Sequence, residues 1–120
     1  AKYLAENNNI EINIMSNLGE RKFGIDSWNQ LPENFERKQI LDENYKIGTG
    51  ENQKEVRDRM YFAIIKILNE NKNKRIAIVS HATAISFLIK KWCDIEIINN
   101  KLRYSFKNFT RGTYRILHWL

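Results

Sequence analysis

Four apolar residues in a row, Ile76-Ala77-Ile78-Val79, lie between two stretches of helical periodicity, and nothing else in the chain narrows its fold as far. A run so short and so uniformly apolar fits a strand covered on both faces. Before it, Val56, Met60, Ala63, Ile64, Ile67 and Leu68 recur at i, i+4, i+7, i+8, i+11 and i+12, one stripe of a long helix ending in Asn71-Lys72-Asn73. After it, Ala84, Phe87 and Leu88 open a second stripe that reaches Trp92. Helix, covered strand, turn, helix is the alternation of an α/β protein, and it predicts three layers, α/β/α, around a mostly parallel sheet. Such sheets hold ligands beyond the C-terminal ends of their strands, and His81 stands at that end.

The remaining chain predicts one domain over residues 1–120. Its 120 residues, 42% apolar and 28% charged, are ordinary for a single globular unit and exclude a disordered acidic tail, a collagen-like fibre and a coiled coil. Lys or Arg interrupts every apolar run, so no stretch offers the ~18 or more apolar residues of a membrane helix. One cysteine, Cys93, permits neither an intrachain disulfide nor a thiolate cluster for zinc, and a cytoplasmic location is expected. Tyr3-Leu4-Ala5 reads as the last turn of a helix that runs out at Asn7-Asn8-Asn9. Ile10, Ile12 and Ile14 then alternate with Glu11 and Asn13, the pattern of a half-buried strand. From Ser16 to Gly50 periodicity is weak, apart from Pro32 as a possible first helical residue and an amphipathic piece over Phe35 to Leu41. Tyr114 to Trp119 is predicted as a final strand.

Twenty Lys plus Arg against fourteen Asp plus Glu leave a net charge of +6, which favours anionic partners. The dense clusters, Lys72-Asn73-Lys74-Arg75 and Lys90-Lys91, adjoin element boundaries, where cations complement helix C-termini. No nucleic-acid-binding motif accompanies them, so a nucleic-acid partner is not expected.

Three segments carry chemistry-bearing residues. In Val79-Ser80-His81-Ala82-Thr83, small residues let amides at a coming helix N-terminus face outward, beside an imidazole that can hold a phosphate. The alternative is a histidine that merely caps the helix. In Leu18-Gly19-Glu20-Arg21-Lys22-Phe23-Gly24, an acid stands next to two cations in a loop: Glu20 as a general acid/base, Arg21 and Lys22 neutralising substrate oxygens, or else a solvated charge run. Gly48-Thr49-Gly50-Glu51-Asn52, followed by Arg57 and Arg59, lacks the context of a phosphate-binding loop and reads as a turn into the long helix, with Thr49 as its cap. His118 and Cys93 read as structural, and two histidines without suitably spaced carboxylates or thiolates give no metal site.

In this order, the three segments resemble the histidine phosphatase superfamily, the phosphoglycerate mutase-like enzymes. Glu20-Arg21-Lys22-Phe23-Gly24 is similar to the family loop with its catalytic Glu and aromatic-Gly pair. Gly50-Glu51-Asn52, with Val56 and Arg59, is similar to its Gly-Glu-Ser opening of a long helix, Asn52 standing where Ser is usual. Ile76 to His81 resembles the strand that delivers its second active-site histidine, with Ala82 where Gly is usual. The resemblance implies a phosphoglycerate mutase-like α/β/α fold, phosphoryl transfer or hydrolysis through a phosphohistidine, a phosphorylated small molecule as substrate, and no cofactor or metal. It implies Glu20 as proton donor and His81 as a phosphate ligand. Ala82 and Thr83 follow as backbone contacts, with Arg21, Lys22 and Phe23 toward the substrate's far end. The family's nucleophile-bearing Arg-His-Gly, its strand and a second clamping Arg have no counterpart in these residues, so the chain reads as the C-terminal two-thirds of such an enzyme, inactive alone. The loss of that strand exposes its neighbours' edges and implies repair by an upstream segment, a rearranged edge or a homo-oligomer. The alternative function is a non-catalytic, basic α/β binding or oligomerising module.

Overall fold

The computed structural model describes residues 1–99 and 101–106. α1 (Lys2–Asn8) buries no residue and stops at Asn9, whose φ of 50° is left-handed and whose N–H returns to the carbonyls of Ala5 and Glu6. Asn tolerates that conformation, which makes the Asn7-Asn8-Asn9 run a helix stop. A 3-10 turn at Ser16–Leu18 and another at Trp28–Gln30 precede α2 (Phe35–Leu41), which starts three residues after Pro32 and not at it.

α3 (Gln53–Glu70) begins with a capping box. The Asn52 side chain accepts from the Glu55 N–H at 2.8 Å, and the Glu55 carboxylate accepts from the Asn52 N–H at 2.8 Å. Asn52 displaces Thr49 as the expected cap because only it has an acid three residues on to close the reciprocal pair. α4 (Ala82–Ile89) follows the predicted turn. β1 (Cys93–Ile98) and β2 (Lys101–Phe106) then pair antiparallel, Cys93 opposite Phe106 and Ile98 opposite Lys101, with Asn99 at φ 49° at the bend.

The core lies between α3 and α4. Val56, Met60, Ala84, Phe87 and Leu88 are buried together, and Leu18, Tyr61, Ile64 and Trp92 pack against them. Burying each large apolar side chain of this cluster contributes about 1.5–3 kcal/mol. The predicted stripe is the packing face from Val56 to Ile64, while Leu68 at its far end is exposed, and Leu18 brings the loop before Glu20 onto it.

The sheet departs from expectation. Among the described residues the only sheet is the antiparallel hairpin, and the mostly parallel sheet is not formed. In residues 10–14 and 76–79, only the Ile10 N–H is paired among the described residues, to the Ala5 carbonyl at 3.0 Å. Their apolar side chains face solvent, Ile14 at 94% exposure. Alternation and β-branching prepare a strand, but a ladder needs neighbours on which its amides and carbonyls can close. The predicted strand at Tyr114–Trp119 lies outside the described residues.

Candidate active site

Glu20 and the turn after residue 79 come together. Glu20 Oε1 accepts from its neighbour's amide, Arg21 N, at 2.7 Å and from Ala84 N at 3.2 Å. Ala84 is the third residue of α4, so the carboxylate rests against the positive end of that helix. His81 is the N-cap residue, extended at φ −107° and ψ 152°, and its exposed side chain makes no capping bond. Its carbonyl accepts from Ile85 N at 2.9 Å and starts the helix. The Ser80 hydroxyl donates to the Leu18 carbonyl at 2.6 Å, joining the two segments just behind these groups. Glu20 Oε2 and the N–H groups of Ala82 and Thr83 have no partner among the described residues.

Arg21 points the other way. It is 2% exposed and sits among the rings of Phe23, Phe35 and Phe87, at 5.7, 5.3 and 5.5 Å from their centroids. Its Nε donates to the Glu51 carbonyl at 2.7 Å, Nη1 to Gln39 Oε1 and Nη2 to the Tyr45 carbonyl at 3.2 Å. Burial pulls its pKa below the ordinary guanidinium value, against the opposing charges of Glu51 and Glu20 and the nearby Tyr45 phenol. The structure thus turns Arg21 inward, away from the substrate contact expected of it. A guanidinium tolerates this setting because its flat faces stack on rings while its edge donates to oxygen acceptors. Lys22 is exposed beside it, and Phe23 is half-buried against Trp28 and Phe35.

Two residues that the sequence left in a plain helix entry hold this loop. Glu51 N donates to the Lys22 carbonyl at 2.7 Å, and its carboxylate accepts from Lys22 N at 2.9 Å. Arg59 Nε meets the same carboxylate at 2.7 Å. Arg59 also donates to the carbonyls of Asn17, Gly19 and Glu20. The Glu51 carboxyl is held below the usual carboxylate range, first by the Arg59 hydrogen bonds and then by Lys22, with burial opposing. Arg59 flanks Met60 of the apolar stripe, and that position is the one local sign that its side chain can reach inward. The backbones themselves meet at two glycines. A Cβ on Gly50 would stand 2.6 Å from the Phe23 carbonyl oxygen, and one on Gly24 (φ 74°) 2.5 Å from Gly50 N.

Among the described residues no three His, Cys, Asp or Glu side chains gather to hold a metal ion. No helix among them is long and apolar enough to cross a membrane. A surface groove between α1 and residues 9–12, lined by Ala5, Glu6, Ile10 and Ile12, shares no residue with the Glu20–His81 turn.

Two packed helices thus hold a carboxylate, Glu20, on the N-terminal turn of α4, where His81 is the N-cap residue. The chain belongs to the histidine phosphatase superfamily (branch 1), whose family model matches residues 1–115. Neither a curated protein nor a solved structure matches it.

Proposed function

We propose that this chain supplies the acid and the phosphate-binding turn of a metal-free, cytoplasmic enzyme that transfers or hydrolyses phosphoryl groups through a phosphohistidine. The observation that carries the reading is the Glu20 carboxylate docked on Ala84 N beside the exposed His81. Oε1 is tied to two amides, which leaves Oε2 to carry a proton toward the site. An imidazole nucleophile attacks phosphorus, the bond to the leaving oxygen breaks, and that oxygen takes the proton from Glu20. The phosphoryl group then passes to water or to a second hydroxyl, whose proton returns to Glu20.

His81 and the free N–H groups of Ala82 and Thr83 face the phosphate oxygens, in the field of the α4 dipole. Lys22 and Phe23 meet the far end of a phosphorylated small molecule, and Arg21 contributes from behind by holding the loop. The nucleophile, its strand and the two clamping arginines are the parts that residues 1–120 do not offer in their family motif. The same reading makes residues 10–14 and 76–79 strands of a mostly parallel sheet, completed by the strand that brings the nucleophile.

The chain alone is therefore expected to hydrolyse an aryl phosphate no faster than buffer and to trap no label from a phosphoryl donor. The same chain supplied with a segment that carries Arg-His-Gly and the second clamping Arg should turn over, and Glu20→Gln should lower that rate by about 10²–10⁴-fold. Turnover or a trapped phosphohistidine in the chain alone would overturn the assignment.

A second reading, an oligomerising or binding module without chemistry, is favoured by the unpaired apolar runs at residues 10–14 and 76–79. Edges of this kind pair readily with another copy. Sedimentation of the chain separates the two readings: a stable dimer that stays inert after addition of the Arg-His-Gly segment supports the module. If instead the +6 charge served nucleic acid, affinity would fall steeply with salt.

A further inference from the structure

We infer that Arg59, braced by Glu51, is a positioning residue that sets where the Glu20 carboxylate stands. The inference rests on Glu20 being the acid of the proposed reaction, but its geometry can be measured without any reaction. All five N–H donors of Arg59 are engaged. Nε meets Glu51 Oε1 at 2.7 Å, and Nη1 meets the Asn17 and Gly19 carbonyls at 2.8 and 3.1 Å. Nη2 meets the Glu20 carbonyl and Glu51 Oε2, both at 3.0 Å. Three of these acceptors belong to the four residues that end in Glu20.

A planar fork with fixed donor directions can hold three carbonyls in one arrangement, whereas an ammonium offers three donors on a flexible stem. The guanidinium sits on α3, the helix against which α4 packs. The loop carrying Glu20 is thus referenced to the same scaffold as the amide it must reach, Ala84 N. Glu51 closes the device from the other side, because the carboxylate that pairs with Arg59 also takes Lys22 N. Glu20 is clasped at its own carbonyl and at the next residue but one. A carboxylate so anchored can aim one oxygen at the α4 amide and keep the other for the substrate.

Hydrogen exchange of the Ala84 amide, followed by NMR in the whole chain, tests this. Arg59→Lys keeps the charge and shortens the reach. It should speed Ala84 exchange about tenfold, toward the value found in Glu20→Ala, while Val56 and Leu88 amides in the core keep their rates. Glu51→Gln, which weakens the brace and leaves Arg59 in place, should move Ala84 in the same direction by a smaller factor. Lys54→Ala, on the exposed face of α3, should leave it unchanged. The inference fails if Ala84 exchange is unaltered in Arg59→Lys, or if Val56 and Leu88 accelerate in step with it, which would make Arg59 a general stabiliser. The catalytic role of Glu20 is judged separately, by Glu20→Gln in the completed enzyme.

Discussion

The loop ending at Glu20 and the run beginning at Ile10 are separated by a few residues, yet they are held in opposite ways. From Asn17 to Phe23 the loop meets partners from far along the chain: Arg59, Glu51, Gln39, Tyr45, Ser80 and Ala84. From Glu11 to Ile14 no backbone group meets one among the described residues. The difference follows from what each segment needs. The loop is fastened by side chains that reach from two packed helices, and these are present. The run needs another backbone alongside it. The loop that carries Glu20 is consequently held in place without a sheet beside it.

Removing the most central fastener should have the largest effect. Arg21→Met keeps much of the stem's packing but leaves the Glu51 and Tyr45 carbonyls and Gln39 Oε1 without their donor. Unpaired buried acceptors cost about 1–3 kcal/mol each, with partial relief from relaxation, so a loss of about 3 kcal/mol is expected in urea unfolding. A loss below about 1 kcal/mol would mean that the fastened region is not held through Arg21, and the contrast would need another basis.

How far the sequence revealed this contrast depends on distance along the chain. The two helical stripes, the α2 span and the turn before α4 are local patterns, and all are legible; the capping box is local too, yet the expected cap, Thr49, stands three residues before the true one, Asn52. The alternation of Cys93, Ile95 and Ile97 with Asp94 and Glu96 is a local pattern too, and it marks β1, a strand that was not among the expected elements. The inward turn of Arg21 is not legible, because its three rings come from a loop, α2 and α4, and nothing local distinguishes it from Lys22. Arg59 and Glu51 are eight residues apart and meet across a loop neither belongs to. The runs at residues 10–14 and 76–79 carry a strand-like pattern but form no strand among the described residues, because a pattern specifies a face and does not supply a neighbour.

Acid should probe the fastened region more gently. The folded Glu51 carboxyl sits below its ordinary range through Arg59 and Lys22. A depressed carboxyl pKa contributes stability that is fully present above the unfolded value and is lost as pH falls through the folded one. Glu55, lowered by the Asn52 amide and Lys46, and Asp58, lowered by Lys54 and Lys91, act in the same sense. Thermal midpoints should therefore hold steady near neutrality and decline below the ordinary carboxylate range. Glu51→Gln should start lower at neutral pH and decline less over that acid window. An identical acid slope in both proteins would remove Glu51 from the account.

The smallest effect is expected on the open flank, and it is the sharpest test of the comparison. Ile12→Lys places a charge on a side chain already 47% exposed, in a run with no ladder to lose. In the isolated chain its unfolding free energy should change by no more than about 0.5 kcal/mol, the range of ordinary surface substitutions. A strand joining this edge reverses that expectation, because a lysine on a paired, covered face must be desolvated or displaced. Ile12→Lys should then weaken dimerisation, or rescue by an Arg-His-Gly-bearing segment, while Leu41→Lys, at the exposed end of α2, serves as a control for charge alone. A large loss of stability in the isolated monomer would show instead that residues 10–14 are already packed, and the two regions would no longer differ in the way described.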